Sequence, residues 1–182
     1  MRRFLVLSLA WSLGGCIDSP VDLSATIPPA SPLAEGFYQP TDDPKAPAFQ
    51  IIKSGADYRA VDPEKSDATG AVFALMDPDK TGLFIAEDKT GANDPGERHY
   101  AYYFVRVSPT SDSVDLYDLT EKDLRLLPAA LRKRFVLDAG VKLAQDSDTE
   151  AALRALDQWL SHGPALKRTR FRLVRKTGGE GH

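Results

Sequence analysis

Seven short runs rich in β-branched and aromatic residues, at 49–53, 58–61, 71–76, 83–87, 100–107, 114–119 and 166–174, are separated for the most part by Gly, Pro, Asp or Asn. Val, Ile, Thr, Tyr and Phe favour pleated backbone, and the turn formers between the runs reverse the chain, so the spacing predicts an antiparallel meander. The longest run, Tyr100-Ala-Tyr-Tyr-Phe-Val-Arg-Val107, is apolar or aromatic at both parities. Alternate residues of a strand point to opposite faces, so this run is expected to be the central strand, covered on both sides. Gly36-Phe37-Tyr38 is a candidate for the first strand, or for a clip that docks the preceding segment.

Two helices interrupt the meander before its last strand. Thr120-Glu-Lys-Asp123 opens a helix reaching about residue 135, which Pro128 divides into two pieces. Ser147-Asp-Thr-Glu150 reads as a capping box, and the following Leu153, Leu156, Trp159 and Leu160 share one helical stripe before Gly163-Pro164 ends it. This second helix is expected to lie across the sheet with Trp159 buried. The expected fold class is α+β, a mostly antiparallel meander of about six or seven strands partly covered by two helices, and residues 36–176 are long enough to bury one core.

The start of the chain has a separate composition. Arg2-Arg3 precedes an apolar run at residues 4–13, then Gly14-Gly15-Cys16. The charged start, the apolar run and the small-residue site are the three parts of an export signal, and the run is about half the ~20 residues that span a bilayer. Leu13-Gly14-Gly15-Cys16 resembles the lipobox of bacterial lipoprotein precursors, departing from the commonest pattern at Gly14. The only cysteine of the 182 residues stands at the position that the box requires. The resemblance covers the leader and the box only. It implies removal of residues 1–15, acylation of Cys16, attachment to a lipid bilayer by several alkyl chains, and a place in the cell envelope. Ile17 rather than Asp after the cysteine implies the outer membrane, facing the periplasm, in a host with two membranes. With Cys16 acylated, no disulfide or cysteine-ligated metal is available to the folded part.

Residues 17–47 hold seven of the thirteen prolines. Residues 16–35 are therefore expected to form an extended tether, and 177–182, Gly-rich and small, a flexible tail. Charge is uneven along the chain. Residues 17–100 carry fifteen acids against seven bases, and residues 101–182 carry eleven acids against fourteen bases. Period-two geometry puts Arg168, Arg170 and Arg172 on one face of the last strand, next to Lys167. With Arg132, Lys133 and Arg134 they form a candidate patch for an anionic partner, an envelope protein or an anionic envelope polymer. The alternative is a solvated face balanced by acids. Nucleic acid is not expected as a partner of an exported chain whose aromatics do not interleave with the patch.

Asp77-Pro-Asp79-Lys-Thr81-Gly82, with Asp88 at the twelfth position, imitates a calcium loop, but the flanking runs are β-rich where such a loop needs helices. A Pro, Asp and Gly hairpin turn is the expected structure. His99 closes a polar, Gly-rich stretch and has no second histidine near it, while His162 and His182 lie at a helix end and in the tail. The sequence contains no nucleophile elbow, no paired-histidine zinc motif and no phosphate-binding glycine loop. No catalytic residue, metal or cofactor is assigned. The expected role is non-catalytic, a membrane-anchored envelope lipoprotein with a binding, accessory or structural task. Two alternatives remain, an envelope-acting hydrolase using His99 and carboxylates, and a carrier whose meander closes into a barrel around a small lipophilic ligand.

Overall fold

Each of the seven β-rich runs carries a strand, and four further strands join them. The computed structural model describes residues 17–63, 70–89, 100–117, 119–137, 141–144, 148–162, 166 and 168–176. In chain order the strands are β1 (Ile17–Ser19), β2 (Gly36–Pro40), β3 (Phe49–Ser54), β4 (Asp57–Val61), β5 (Ala71–Met76), β6 (Leu83–Asp88), β7 (Tyr100–Val107) and β8 (Ser113–Tyr117). They are followed by β9 (Phe135–Leu137), β10 (Val141–Leu143) and β11 (Arg168–Lys176). The helices are α1 (Glu121–Arg125), α2 (Ala129–Arg132) and α3 (Thr149–His162), and a 3-10 turn occupies Leu23–Ala25.

Strands β2 to β8 pair antiparallel, each with the next in sequence. Strand β11 then pairs with β8 through Arg168–Arg172 and with β2 through Phe171–Lys176. The sheet is thereby closed into an eight-stranded up-and-down barrel, which leaves no free edge between β8 and β2. This corrects the expected α+β meander of six or seven strands under two helices. The strand runs were legible, but closure is not a local property, and the helices cover part of the outer wall instead of one face of an open sheet. A register shift between Leu173 and Arg175 lets β11 serve both neighbours. At that seam a Cβ on Gly36 would lie 2.4 Å from the Arg175 carbonyl oxygen, so only glycine fits the closing pair.

Two hydrophobic cores follow from the alternation of side chains. Phe73 and Leu75, Phe84 and Ala86, and Tyr103 and Val105 point into the barrel. Their sequence neighbours Met76, Leu83, Ile85, Tyr102 and Phe104 point outward and meet Leu153, Leu156 and Leu160 of α3. The apolar character of β7 at both parities thus has the expected cause, since one face lines the barrel and the other lies under a helix. Trp159 is only partly buried at the edge of this outer core, because Leu156 and Leu160 take the central contact. The cap of α3 comes from Asp148, whose carboxylate accepts from Ala151 N at 3.1 Å, while Glu150 pairs with Arg154 at 2.8 Å. Ser147 lies outside the described residues. Pro128 divides α1 from α2 as expected, and Thr120 and Asp123 complete a capping box on α1.

Residues 17–35, expected to be a free tether, are laid along the barrel. Strand β1 pairs antiparallel with β7 and parallel with β10, and β9 pairs antiparallel with β10. Proline prevents helix here but not extended pairing, and Ile17, Leu23, Ile27 and Leu33 each bury against the domain. The Asp77 to Gly82 segment is the β5–β6 turn. Asp77 accepts from Thr81 N at 2.9 Å and Gly82 N at 3.2 Å, and Gly82 supplies a φ of 73°.

Leu156 is fully buried between the barrel wall and α3. Leu156→Ala is expected to lower unfolding free energy by about 2–5 kcal/mol, read as a fall in the urea midpoint at unchanged slope.

Candidate functional site

The barrel interior is not completely filled. A cavity of about 50 Å³ lies among Leu33, Tyr38, Phe49, Ile51, Phe73, Leu75, Ala86, Val105, Val114, Leu116 and Phe171. Ten of these eleven side chains come from barrel strands, and the period of two places them on the inner face. Leu33 alone comes from outside the strands. Phe171 meets Phe49 edge-on at 5.3 Å, and Tyr58 stacks on Phe73 at 5.6 Å, so rings set the shape of the wall. An eight-stranded barrel is at the size where side chains either fill the interior or leave space for one small ligand. Apolar cavities of this kind stay dry and admit apolar molecules.

Two tyrosines place their rings in the inner core while their hydroxyls bond at one barrel end. The Tyr58 hydroxyl accepts from Leu33 N at 3.0 Å and donates to the Leu33 carbonyl at 3.4 Å. The Tyr38 hydroxyl bonds to the Ala34 carbonyl at 2.9 Å and the Ser111 carbonyl at 3.2 Å. Burial pushes the Tyr38 phenol up to about 12 and raises that of Tyr58 also, so both stay protonated donors at neutral pH.

Outside the barrel, one polar cluster holds the N-terminal segment to the wall. Glu87 is fully buried on the outer face of β6. Its Oε2 accepts from Leu23 N at 2.7 Å and Ser24 N at 3.2 Å, at the start of the 3-10 turn. The Tyr102 hydroxyl lies 3.0 Å from the same oxygen and also donates to the Val21 carbonyl. Lys89 Nζ stands 4.0 Å from Oε1. Burial raises the Glu87 carboxyl above its ordinary value, with Asp22 adding to the effect. The cluster therefore works as a clasp, pairing a buried carboxyl with backbone N–H groups.

The sequence candidates fall into different places. Leu13, Gly14, Gly15 and Cys16 lie outside the described residues, as do Lys167, His99 and His182. Arg168 and Arg170 both reach Asp115, at 2.8 Å and 2.6 Å, and Arg170 binds it with two nitrogens. The Arg170 guanidinium holds the Asp115 carboxyl below the usual carboxylate range. Arg172 lies near Asp112, whose carboxylate is held by Thr110 and Ser108. Arg132 turns back to the Arg125 carbonyl at 3.2 Å, and Lys133 is exposed beyond α2. The strand arginines are thus engaged by acids of the neighbouring strand and turn, and Arg132 is held within the helical segment. His162 is exposed at the end of α3, bonded to the Gln158 carbonyl at 2.9 Å.

Sequence reasoning named a barrel cavity as an alternative, with Tyr100, Tyr102 and Phe104 as its lining, but these three lie in the outer core, so it missed the actual lining, and it missed Glu87 and Asp157. The alternation of residues 101, 103, 105 and 107 carried a signal for the lining, and a lone acid closing an apolar run carried one for Glu87. Asp157 sits fully buried in the apolar stripe of α3, where Thr81 Oγ1 at 3.3 Å meets one oxygen and the other has no hydrogen bond among the described residues. Burial holds its carboxyl up at about 6, with Asp79 and Asp77 adding to the rise.

An acid whose folded pKa is raised loses its proton first in the unfolded chain. The Asp157 contribution is therefore most favourable below about pH 4, declines as pH rises to about 6, and is constant above. Asp157→Asn is expected to be more stable than the parent by about 3 kcal/mol at pH 7 and to lose most of that advantage at pH 4. Urea titrations at the two pH values measure the difference, and equal stabilities at pH 7 would show that the carboxylate is not desolvated. Comparison of the chain with family models, with curated proteins and with solved structures gives no match.

Proposed function

We propose that this protein is an exported, lipid-anchored envelope protein with a non-catalytic role, its barrel holding a small apolar ligand at the membrane surface. The observation that carries the reading is the cavity, lined by eleven side chains of which only Tyr38 bears a polar atom, and that hydroxyl is engaged at the barrel end. Binding takes the surface of an apolar molecule out of water, at roughly 25 cal/mol per Å² buried, and into a cavity that holds none to displace. The leader and lipobox-like box support attachment through acylated Cys16, with the outer membrane as destination in a host with two membranes. Ile17, the next residue, is fully buried in β1, so an acyl group on Cys16 would hold the barrel close to the bilayer and not at the end of a long tether.

Two measurements test the two halves separately. Intact mass and membrane fractionation are expected to show acyl chains on Cys16 and release or non-processing of Cys16→Ser; an unmodified soluble chain would remove the anchor. Ala86→Leu, which fills the cavity from its wall, is expected to weaken binding of an uncharged naphthylamine probe at least tenfold while the circular dichroism spectrum is kept. Unchanged probe binding in that variant would place the ligand elsewhere.

A further inference from the structure

The route into the cavity and the chemistry of its ligand are legible at one barrel end. The β3–β4, β5–β6 and β7–β8 turns all stand at this end, and residues 30–35 cross it as a strap. Ala30 N donates to the Leu75 carbonyl at 2.7 Å beside the β5–β6 turn. Glu35 accepts from Lys53 N at 2.7 Å beside the β3–β4 turn, and the Tyr38 hydroxyl links Ala34 to Ser111 of the β7–β8 turn. Between these points Leu33 inserts into the cavity, 9% exposed. Among the described residues the Ala30 to Leu75 bridge is the strap's one strand pairing, and its other bonds run to the side chains of Tyr58 and Tyr38 and from Lys53 N to Glu35.

We propose, resting on the cavity reading above, that the ligand is a neutral amphiphile that enters by displacing this strap, its alkyl chain replacing Leu33 and its head bonding to the Tyr58 and Tyr38 hydroxyls. The argument is one of matched chemistry. Lifting the strap vacates the space of one leucine side chain beside the 50 Å³ cavity, which extends the apolar volume along the barrel axis. It also removes both Leu33 bonds of the Tyr58 hydroxyl and the Ala34 bond of the Tyr38 hydroxyl, which keeps only the Ser111 carbonyl, and a buried polar group left unpaired is costly. The Tyr58 hydroxyl accepts one bond from Leu33 and donates another to it, so the group that replaces the strap must both donate and accept, as an alcohol or primary amide does. A charged head gains no countercharge among the cavity walls and would lose its hydration, which disfavours a carboxylate.

The test uses the full protein in phosphatidylcholine nanodiscs and a photoreactive ten-carbon alcohol, with the matching carboxylate at pH 8. Crosslinks from the alcohol are expected on Phe73, Leu75 and Val105, competed by 1-decanol, and at least fivefold weaker from the carboxylate. Leu33→Ala is expected to raise subsaturating labelling by the alcohol at least fivefold. Tyr58→Phe, which keeps the ring, is expected to erase the preference for alcohol over a hydrocarbon of equal length. Cavity labelling that is unchanged in Leu33→Ala overturns the strap route while the cavity reading stands, and equal labelling by the carboxylate overturns the neutral head. Absence of cavity labelling in both folded proteins overturns the proposal and the cavity reading together.

Discussion

The double pairing of β11, with β8 on one side and β2 on the other, is the interaction on which the molecule depends. A seven-stranded meander has two open edges, β2 at residues 36–40 and β8 at 113–117, and one strand satisfies both. The entropy of closing so long a loop grows only slowly with its length. That leaves room for the helical excursion between β8 and β11 without forfeiting the ring. The bulge at Leu173 to Arg175 and the bare backbone at Gly36 are the local accommodations that the double pairing requires.

Closure divides the apolar residues into two populations with different tasks. Those inside the ring can pack only on each other, and their rings leave a small void. Those outside β5, β6 and β7 must be covered, and α3 with the short helices and β1 covers them. The outer core thus accounts for the helices, and the inner core accounts for the candidate site. Asp157 shows the cost of this arrangement, since a carboxyl on the covering face of α3 is stripped of water with one weak partner.

The N-terminal segment joins the proposed anchor to the proposed site. From β1 it passes the Glu87 clasp, buries Leu23 and Ile27 against the outer core, and ends as the strap that presents Leu33 to the cavity. Beyond β1, the bonds that hold it are mostly backbone groups meeting side chains of the barrel, with Glu35 accepting from Lys53 N and one backbone bridge to β5. A segment held in this way opens at lower free energy than a strand inside a ladder, because fewer cooperative bonds are lost.

Strand positions were legible because alternation and turn residues act over a few neighbours, and the runs at 71–76 and 100–107 coincide with β5 and β7. The division of the first helical segment at Pro128 was legible for the same reason, since a missing N–H is a local fact. Strands β9 and β10 were not, because three residues carry no periodicity, and β1 was hidden in proline-rich composition. The sequence by itself also determined the apolar composition of residues 4–13, the position of the one cysteine and the charge imbalance. Whether β11 closes the ring, which parity faces inward, where Glu87 and Asp157 become buried, and which acids take up Arg168 and Arg170 were decided by tertiary structure alone. Each depends on contacts between residues far apart in the chain, and pairing energies of that kind leave no trace in the spacing of neighbours.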